Sequence, residues 1–344
     1  MIDRRDDFVM GLRKTWAVLR IEPLGAGIRS LNGLGGVEFV RGEIGAIDTS
    51  SRSVMVDGQA IAGDALVLAL GAQQDMNALP GLGEHAINAW DRDEVGRAAA
   101  AVGAMTSGQR LLIGIFGAPY SCPPAPFELA LLARDRLGPD VEITVFSPAP
   151  IALPVVGPFE SAKVERMLAD ADIGFLPRHQ PQAVRDHRVE FADGSSKYFD
   201  VLLAVPVHRC PEVLVAAGLA EPGGWVKTDR QILETGQANV YAIGDCTVIP
   251  LANGLALPKA GIFAELQGEV VAARILAHVH GGEPSSAFAG EGFCFVETGG
   301  GRAAKASGAF LADPVAVSIS EPTTAALAEK TEFENSRLSK WFGG

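Results

Sequence analysis

Short apolar runs alternate along the chain with longer segments in which apolar residues recur every three or four positions. The short runs are typical of buried parallel strands, because they are apolar on both faces and end near glycine or proline. They are ALVLALGA (65–72), RLLIGIFG (110–117), VEITVFSP (141–148) and DVLLAVPV (200–207). The longer segments predict helices: RDEVGRAAAAVGAM (92–105), and the amphipathic FELALLARDRL (127–137) and ESAKVERMLADADI (160–173). Alternating strands and helices predict doubly wound α/β layers.

The same pattern predicts how the chain is organised further on. Residues 188–205 predict a hairpin whose turn is Asp193-Gly194. Three later segments are a strand, a long helix and a Gly/Ser/Pro-rich boundary loop: GQANVYAIGDCTVIP (236–250), PKAGIFAELQGEVVAARILAHVHG (258–281) and GGEPSSAFAGEG (281–292). The tail from Phe293 onward is short, and its apolar positions follow no single helix or strand pattern.

Composition and charge narrow the class of protein. The 344 residues are 48% hydrophobic and 20% charged, which suits a large core in two or three domains. The net charge of −12 argues against a nucleic-acid partner. No run of 18 apolar residues and no signal-peptide pattern is found, so the expected location is the cytoplasm. The terminal FENSRLSKWFGG predicts packing on a neighbouring domain, with peripheral membrane contact as the alternative.

Cysteine usage points to chemistry. The four cysteines, Cys122, Cys210, Cys246 and Cys294, are too few and too scattered for a disulfide scaffold or a zinc cluster, and no metal site is predicted. A cysteine with a special role is therefore expected to be catalytic.

The most specific motif is VYAIGDCT (240–247). An apolar strand that stops at Gly244 and Asp245 places the Asp245 carboxylate at the carboxyl end of the strand, where open α/β sheets bind their ligands. Gly244 lets a ligand approach the backbone, and the carboxylate accepts hydrogen bonds from sugar or ribityl hydroxyls. An ordinary turn capped by aspartate is the alternative.

Together with LVLALGA (66–72), the segment WVKTDRQILETGQANVYAIGDCT (225–247) resembles the paired flavin-binding segments of the pyridine nucleotide-disulfide oxidoreductase superfamily. The resemblance implies an α/β fold of two Rossmann-like three-layer (FAD/NAD(P)-binding) domains plus a small C-terminal α+β segment. Gly244 and Asp245 match residues that contact the ribityl and pyrophosphate of FAD. The segment that includes Ala69 and Gly71 would lie against the cofactor.

The resemblance also implies domain boundaries. Residues 1–105 and 238–285 would form a discontinuous FAD-binding domain, and residues 106–237 an NAD(P)-binding-like domain. Residues 286–344 would form a C-terminal interface segment.

Three further motifs resemble sulfide:quinone oxidoreductases and the flavoprotein subunit of flavocytochrome c sulfide dehydrogenase: GAPYSCPPAPFE (117–128), LPKAGIFAELQG (257–268) and GEGFCFVETGGG (290–301). Pro258, Lys259 and Ala260 stand at the start of a predicted helix, where proline is tolerated and the helix dipole is positive. By the resemblance, that helix end faces the flavin pyrimidine and stabilises the anionic reduced ring. A plain helix start with a solvated lysine is the alternative.

The chain departs from the superfamily at its start. The superfamily opens with a strand, a G-x-G-x-x-G turn and a helix that hold the FAD pyrophosphate, and no such unit precedes MIDRRDDF (1–8). That stretch matches the end of the second strand, which puts Asp3 and Arg4 near the adenosine ribose. A start codon assigned too late is the preferred explanation, and a degenerate chain that has lost FAD is the other.

The turn after residues 110–116 is where a nicotinamide dinucleotide needs glycines and free N–H groups. Gly117 is present, but Tyr120, Pro123 and Pro124 crowd the turn, and proline has no N–H to donate. We therefore expect little or no nicotinamide binding in this domain. The thiol of Cys122 occupies the turn instead.

By the resemblance, Cys122 and Cys294 match two cysteines that form a disulfide or polysulfide bridge beside the flavin. Cys122 precedes a predicted helix, whose dipole is expected to lower the pKa of the thiol. Cys294 stands between two phenylalanines, and a half-buried strand cysteine without chemistry is the alternative for it.

The sequence thus predicts an FAD-dependent oxidoreductase. It would pass electrons from sulfide or a related sulfur compound, through the cysteine pair and flavin, to a quinone or to a haem protein such as a cytochrome. A type II NADH:quinone reductase is the alternative among enzymes. A non-catalytic relic acting as a binding protein is the alternative outside them.

Overall fold

A computed structural model describes residues 1–343. The strands, in chain order, are β1 (Ile2–Asp3), β2 (Asp7–Val9), β3 (Ile28–Ser30), β4 (Val40–Arg41), β5 (Ile44–Asp48), β6 (Ser53–Val56), β7 (Gln59–Ala62), β8 (Leu66–Leu68), β9 (Gln73–Asp75), β10 (Ile87–Asn88), β11 (Arg110–Ile115), β12 (Glu142–Phe146), β13 (Gly174–Leu176), β14 (Pro181–Arg185), β15 (Arg188–Phe191), β16 (Ser196–Tyr198), β17 (Val201–Val205), β18 (Val207–Arg209), β19 (Val226–Lys227), β20 (Val240–Ala242), β21 (Thr247–Val248), β22 (Glu291–Gly299), β23 (Arg302–Ala309) and β24 (Ala316–Ile319). The α-helices are α1 (Arg13–Val18), α2 (Leu82–His85), α3 (Val95–Gly103), α4 (Ala125–Leu137), α5 (Gly157–Asp170), α6 (Glu212–Ala216), α7 (Gly261–Val279) and α8 (Thr324–Phe342).

A five-stranded parallel sheet in the order β10-β17-β11-β12-β13 contains three of the predicted buried strands. Successive side chains of β11 face opposite sides of this sheet. Leu111, Ile113 and Ile115 pack in the core cluster that also contains α3 and α4. Leu112 packs on the other side, in a cluster with the hairpin of β14 and β15. Burial of both faces explains why the strand is apolar throughout, and it confirms the predicted α/β fold class.

The predicted strands at 65–72 and 236–250 are neighbours in space. β8 pairs in parallel with β20, with Leu66 opposite Val240 and Leu68 opposite Ala242. The predicted hairpin is also present: β15 pairs antiparallel with β16, and the Ser195 N–H donates to Asp193 Oδ1 at 2.9 Å across the turn. Because β8 and β20 run in parallel, the segments that follow them leave the pair at the same edge.

Helix α4 differs from its prediction. The sequence predicts an amphipathic helix, but every residue from Pro126 to Ala133 is buried. The reason is its position: α4 packs against the parallel strands β11 and β12 and also against β22 of the C-terminal sheet. Only the last turn, which contains Asp135 and Arg136, reaches solvent. A helix covered on both sides is apolar around most of its circumference.

The C-terminal tail is more ordered than its mixed pattern indicates. Strands β22, β23 and β24 form an antiparallel sheet, and the 19-residue helix α8 packs against β22 and β23. Thr323 caps α8, since its side chain accepts a hydrogen bond from the Ala326 N–H at 3.0 Å. At the other end of α8 the rings of Trp341 and Phe342 contact Phe8. The aromatic terminus thus packs on the N-terminal part of the chain.

Some strand pairs join segments that the predicted domain boundaries separate. β10 belongs to the sheet of β11 and β17, and β19 pairs with β21 next to the Gly-Asp motif. The boundaries at 105, 237 and 285 stay a prediction. Within residues 1–343, no helix combines the length and the apolar character needed to cross a membrane.

Candidate active site

A cleft forms where β20 ends and α7 begins. It is lined by Gly244, Asp245, Thr247, Ile249, Leu257, Pro258, Lys259, Ala260, Phe263 and Gln267. Gly244 has a φ of +70°, and a Cβ at this position would lie 3.2 Å from the Cβ of Ala264. A side chain would therefore be both strained and crowded there. The structure thus brings together the predicted residues Gly244, Asp245, Pro258, Lys259 and Ala260.

The turn that carries Cys122 is bonded to this cleft. The Ser121 hydroxyl donates to Asp245 Oδ2 at 2.5 Å, and the Cys122 N–H donates to the Lys259 carbonyl oxygen at 2.6 Å. The Ser121 carbonyl oxygen accepts a hydrogen bond from Trp90 Nε1 at 2.8 Å. These bonds hold the cysteine beside the residues predicted to bind the cofactor, although the two motifs are more than 120 residues apart in sequence.

Lys259 is not a solvated lysine. Its side chain is buried, and Nζ donates to the carbonyl oxygens of Asp245 at 2.5 Å and Thr247 at 3.0 Å. Nζ also lies 3.4 Å from the centre of the Trp225 ring. Burial lowers the pKa of Lys259 to about 8, although the Asp245 carboxylate opposes that shift. Helix α7 begins two residues later, at Gly261, with Ala260 as its cap.

The side chains of Cys122 and Cys294 lie close enough to influence each other's ionisation, and both residues are half-buried free thiols. Cys122 lies in the turn before α4, and Cys294 lies on β22, which packs against α4. The fold therefore brings two cysteines together from distant parts of the chain.

The prediction that the helix dipole lowers the pKa of Cys122 is wrong. The interaction with the Cys294 thiol, together with burial, raises the pKa of Cys122 well above its ordinary value. The same interaction lowers the pKa of Cys294, although burial opposes that shift.

The other two cysteines lie in the core. Cys246 is fully buried, and its Sγ donates to the carbonyl oxygen of Ile243 at 3.2 Å. Burial raises the pKa of Cys246 to about 12 and also raises that of Cys210. Neither thiol is suited to react as a thiolate near neutral pH.

The remaining predicted residues lie outside the cleft lining. Asp3 and Arg4 belong to the segment in which β1 pairs with β4, where Asp3 Oδ1 accepts the Arg5 N–H at 2.8 Å. Ala69 is exposed just after β8, and Gly71 follows with a φ of +66°. Roles in cofactor binding stay predictions for these residues and for the predicted residues of the cleft lining.

Sequence reasoning missed a set of buried charges near the thiols. Lys330 Nζ donates to Glu128 Oε1 and to Glu297 Oε2, each at 2.9 Å, and Trp16 Nε1 donates to Glu297 Oε2 at 2.7 Å. Lys14, which is partly buried, is close enough for its charge to favour ionisation of Cys122. One signal was present: Glu128 interrupts the otherwise apolar PFELALLA.

The fold and the cleft define a doubly wound α/β protein whose ligand site lies at the carboxyl ends of parallel strands. The model of the pyridine nucleotide-disulphide oxidoreductase family matches residues 11–268, and the chain belongs to that family. Members of the family are FAD-binding flavoproteins, so the prediction of FAD as the cofactor is confirmed.

Two curated relatives narrow the comparison. The chain is 31% identical to the mitochondrial sulfide:quinone oxidoreductase of Schizosaccharomyces pombe over 113 residues, which are 32% of this chain and 23% of that protein. It is 25% identical to the demethylphylloquinone reductase NdbB of Synechocystis over 258 residues, which are 72% of this chain and 63% of that protein. In both cases the matched part is less than two thirds of the relative's length.

Solved structures agree with this placement at the level of the fold. The sulfide:quinone oxidoreductase of Aquifex aeolicus matches with a TM-score of 0.87 at 21% identity, covering 98% of this chain and 84% of that one. NDH2 of Plasmodium falciparum, solved in complex with NADH, matches with a TM-score of 0.72 at 10% identity, covering 99% of this chain and 93% of that one. At such identities the likeness shows the fold alone.

The cleft residues are suited to hold a flavin. Asp245 offers a carboxylate at the end of β20. Outside the cleft lining, a Cβ at Gly71 would meet no atom within 4 Å, so the space beside the backbone is open there. The first amides of α7, after Ala260, have no acceptor within the helix and can donate to a ligand. Lys259 Nζ, by contrast, is engaged by backbone carbonyls and Trp225.

Proposed function

We propose that this flavoprotein oxidises sulfide, or a related low-molecular-weight sulfur compound, at Cys122 and Cys294 and delivers the electrons to a quinone or a haem protein. One observation carries the proposal: the thiols of Cys122 and Cys294 interact, and the turn that holds Cys122 is bonded directly to the Gly-Asp cleft. The relatives named as sulfide:quinone oxidoreductases and as a quinone reductase support the donor and the acceptor.

The two thiols have different tasks in this proposal. When the pair is oxidised to a disulfide, HS⁻ attacks the Cys122 sulfur and the S–S bond breaks. Cys122 then carries a persulfide, and Cys294 leaves as a thiolate, so no electron leaves the protein in this step. The Lys330 ammonium favours ionisation of Cys294, which stabilises Cys294 as the leaving thiolate. FAD, when bound, supplies the two-electron acceptor for the reduced sulfur.

A type II NADH:quinone reductase is the second candidate, since the similarity to NdbB extends over 72% of the chain. The turn after β11 argues against it. Pro123 and Pro124 stand where a dinucleotide site needs N–H donors, and the buried Tyr120 ring takes up space beside them, with its hydroxyl donating to the Pro123 carbonyl oxygen at 3.1 Å.

Substitution of the cysteines tests the proposal. We expect Cys122→Ser and Cys294→Ser each to abolish flavin bleaching by sulfide, followed under anaerobic conditions by the flavin absorbance. Cys210→Ser is the matched control, because its thiol is buried in a core cluster that contains neither Cys122 nor Cys294, and it should keep the wild-type rate. Flavin content should be unchanged in all three variants. Full activity in both pair variants would refute a role for the pair.

A further inference from the structure

Three ionisable side chains that do not react in the proposed sulfur chemistry are buried together behind the cysteine pair. We call Glu128, Glu297 and Lys330 the buried triad; their exposed fractions are 5%, 7% and 2%. Lys330 bridges the two carboxylates, and the Glu297 N–H donates to Glu128 Oε2 at 3.0 Å. The triad joins α4, β22 and α8 in a single set of hydrogen bonds.

The triad and the thiols are carried by the same two elements. Cys122 and Glu128 are six residues apart at the start of α4, and Cys294 and Glu297 are three residues apart on β22. The Glu128 carboxylate is close enough for its charge to disfavour ionisation of both thiols, while the Lys330 ammonium favours ionisation of Cys294. Because α4 and β22 pack together, these charges are fixed relative to the reacting sulfurs.

The charges in this region do not balance. Two carboxylates face one ammonium, and a buried carboxylate without a counter-ion is strongly destabilising. Burial raises the pKa of Glu128 in spite of Lys330. Burial alone would lower the pKa of Lys330, but the two carboxylates more than reverse this and raise it. Lys330 therefore stays charged, and it is the residue that keeps the carboxylates from acting on the thiols unopposed.

We propose that Lys330 of α8 is a positioning residue for the cysteine pair: by holding and neutralising Glu128, it keeps a thiolate available at Cys294. The proposal rests on the proposed function at one point only, namely the reaction of that thiolate with a sulfur compound. Two further groups face the pair: Lys14 of α1, whose charge favours ionisation of Cys122, and Tyr120 in the turn.

The test measures thiol ionisation without sulfide turnover. The reduced protein is alkylated with iodoacetamide over a range of pH, and the peptides containing Cys122 and Cys294 are quantified by mass spectrometry. Glu128→Gln removes the charge but keeps an acceptor for the Glu297 N–H, and we expect alkylation near pH 7 to become faster, on the order of tenfold. Lys330→Met should shift the pH profile in the opposite direction, and the double variant should return towards wild type.

Two controls keep the test decisive. Lys340→Met removes another lysine of α8, one whose partner Glu269 lies at the surface, and its pH profile should match wild type. Should Lys330→Met fail to fold, Glu128→Gln still tests the proposal, because it keeps the Lys330–Glu297 pair. An unchanged profile in Glu128→Gln, or shifts of the same sign in both single variants, would overturn it. If the variants show the expected shifts in the alkylation profile but sulfide does not reduce the flavin, the proposed function is refuted and the role of Lys330 stands.

Discussion

At the scale of single residues, Cys122 is held in a conformation that its side chain disfavours. Its φ is +57°, in the left-handed region that non-glycine residues seldom occupy. Its N–H is bonded to the Lys259 carbonyl oxygen, and its own carbonyl oxygen accepts the Ala125 N–H at 3.0 Å. Such a conformation persists only where the surroundings fix it. The thiol is therefore placed by the backbone of two segments, and not by the helix start alone.

Lys259 gives a prediction about the pH dependence of stability. Its pKa is about 8 in the folded protein, whereas an unfolded lysine titrates near about 10.4. Between these pH values the unfolded chain binds more protons, so the free energy of unfolding rises with pH. Below pH 8 the charged, buried ammonium costs its full penalty. Deprotonation of Lys259 should therefore raise the free energy of unfolding by roughly 2–3 kcal/mol between pH 7 and pH 10.

Urea unfolding of wild type and Lys259→Met at the two pH values measures this gain. The variant should lack the rise that Lys259 contributes, while the rise from Lys14, whose pKa burial also lowers, remains in both proteins. Equal changes in unfolding free energy for both proteins would show that Lys259 does not titrate as the structure requires.

At the scale of elements, α8 is fixed to α1 by a second buried ion pair. Arg13 Nε donates to Glu334 Oε1, and Glu334 is fully buried. Within the described residues, Glu334 Oε2 has no hydrogen-bond partner. The guanidinium of Arg13 also lies 5.6 Å from the centre of the Trp16 ring. The helix that carries Lys330 thus depends on this pair for its position.

Removal of Arg13 should destabilise the fold strongly. Arg13→Met leaves the Glu334 carboxylate buried without a counter-ion, which costs about 3–5 kcal/mol of unfolding free energy, measured by urea denaturation. Lys340→Met, which breaks an exposed pair on the same helix, should cost less than about 1 kcal/mol. Adding Glu334→Leu to Arg13→Met should recover part of the loss. Similar costs for the two single variants would contradict the role given to this pair.

The elements differ in how far the sequence could predict them. β11, β12 and β17 were predictable because a continuous apolar run in the sequence marks each of them as a buried strand. The hairpin of β15 and β16 was predictable because Asp193-Gly194 is a typical turn sequence. β23 was not, since RAAKASGA has small residues that become buried only through α8 and β22. The Gly-Asp motif could likewise be recognised because its residues are adjacent in sequence. The contacts of Lys330 could not, because its partners Glu128 and Glu297 are 202 and 33 residues away in the chain.

At the scale of the whole molecule, the candidate site is built from three parts of the chain. The turn before α4 provides Cys122, the segment before α7 provides Lys259 and Ala260, and β22 provides Cys294. The cysteine turn follows β11, at the position where we expect a dinucleotide site to need free N–H groups. The proposed sulfur chemistry and the expected exclusion of NADH therefore depend on the same turn.

This arrangement predicts that NADH is a poor donor. Prolines at 123 and 124 supply no N–H groups, and Pro124 is the cap of α4, so the start of that helix is closed to a pyrophosphate. We expect NADH and NADPH to bleach the flavin of the flavin-loaded protein at least about tenfold more slowly than sulfide at equal concentration, a difference of about 1.4 kcal/mol in activation free energy. Anaerobic stopped-flow absorbance measures both rates. Cys122→Ser should lose the sulfide rate and leave the slow NADH rate unchanged, which separates the two donors in one protein. Fast bleaching that saturates with NADH would instead favour the NADH:quinone reductase.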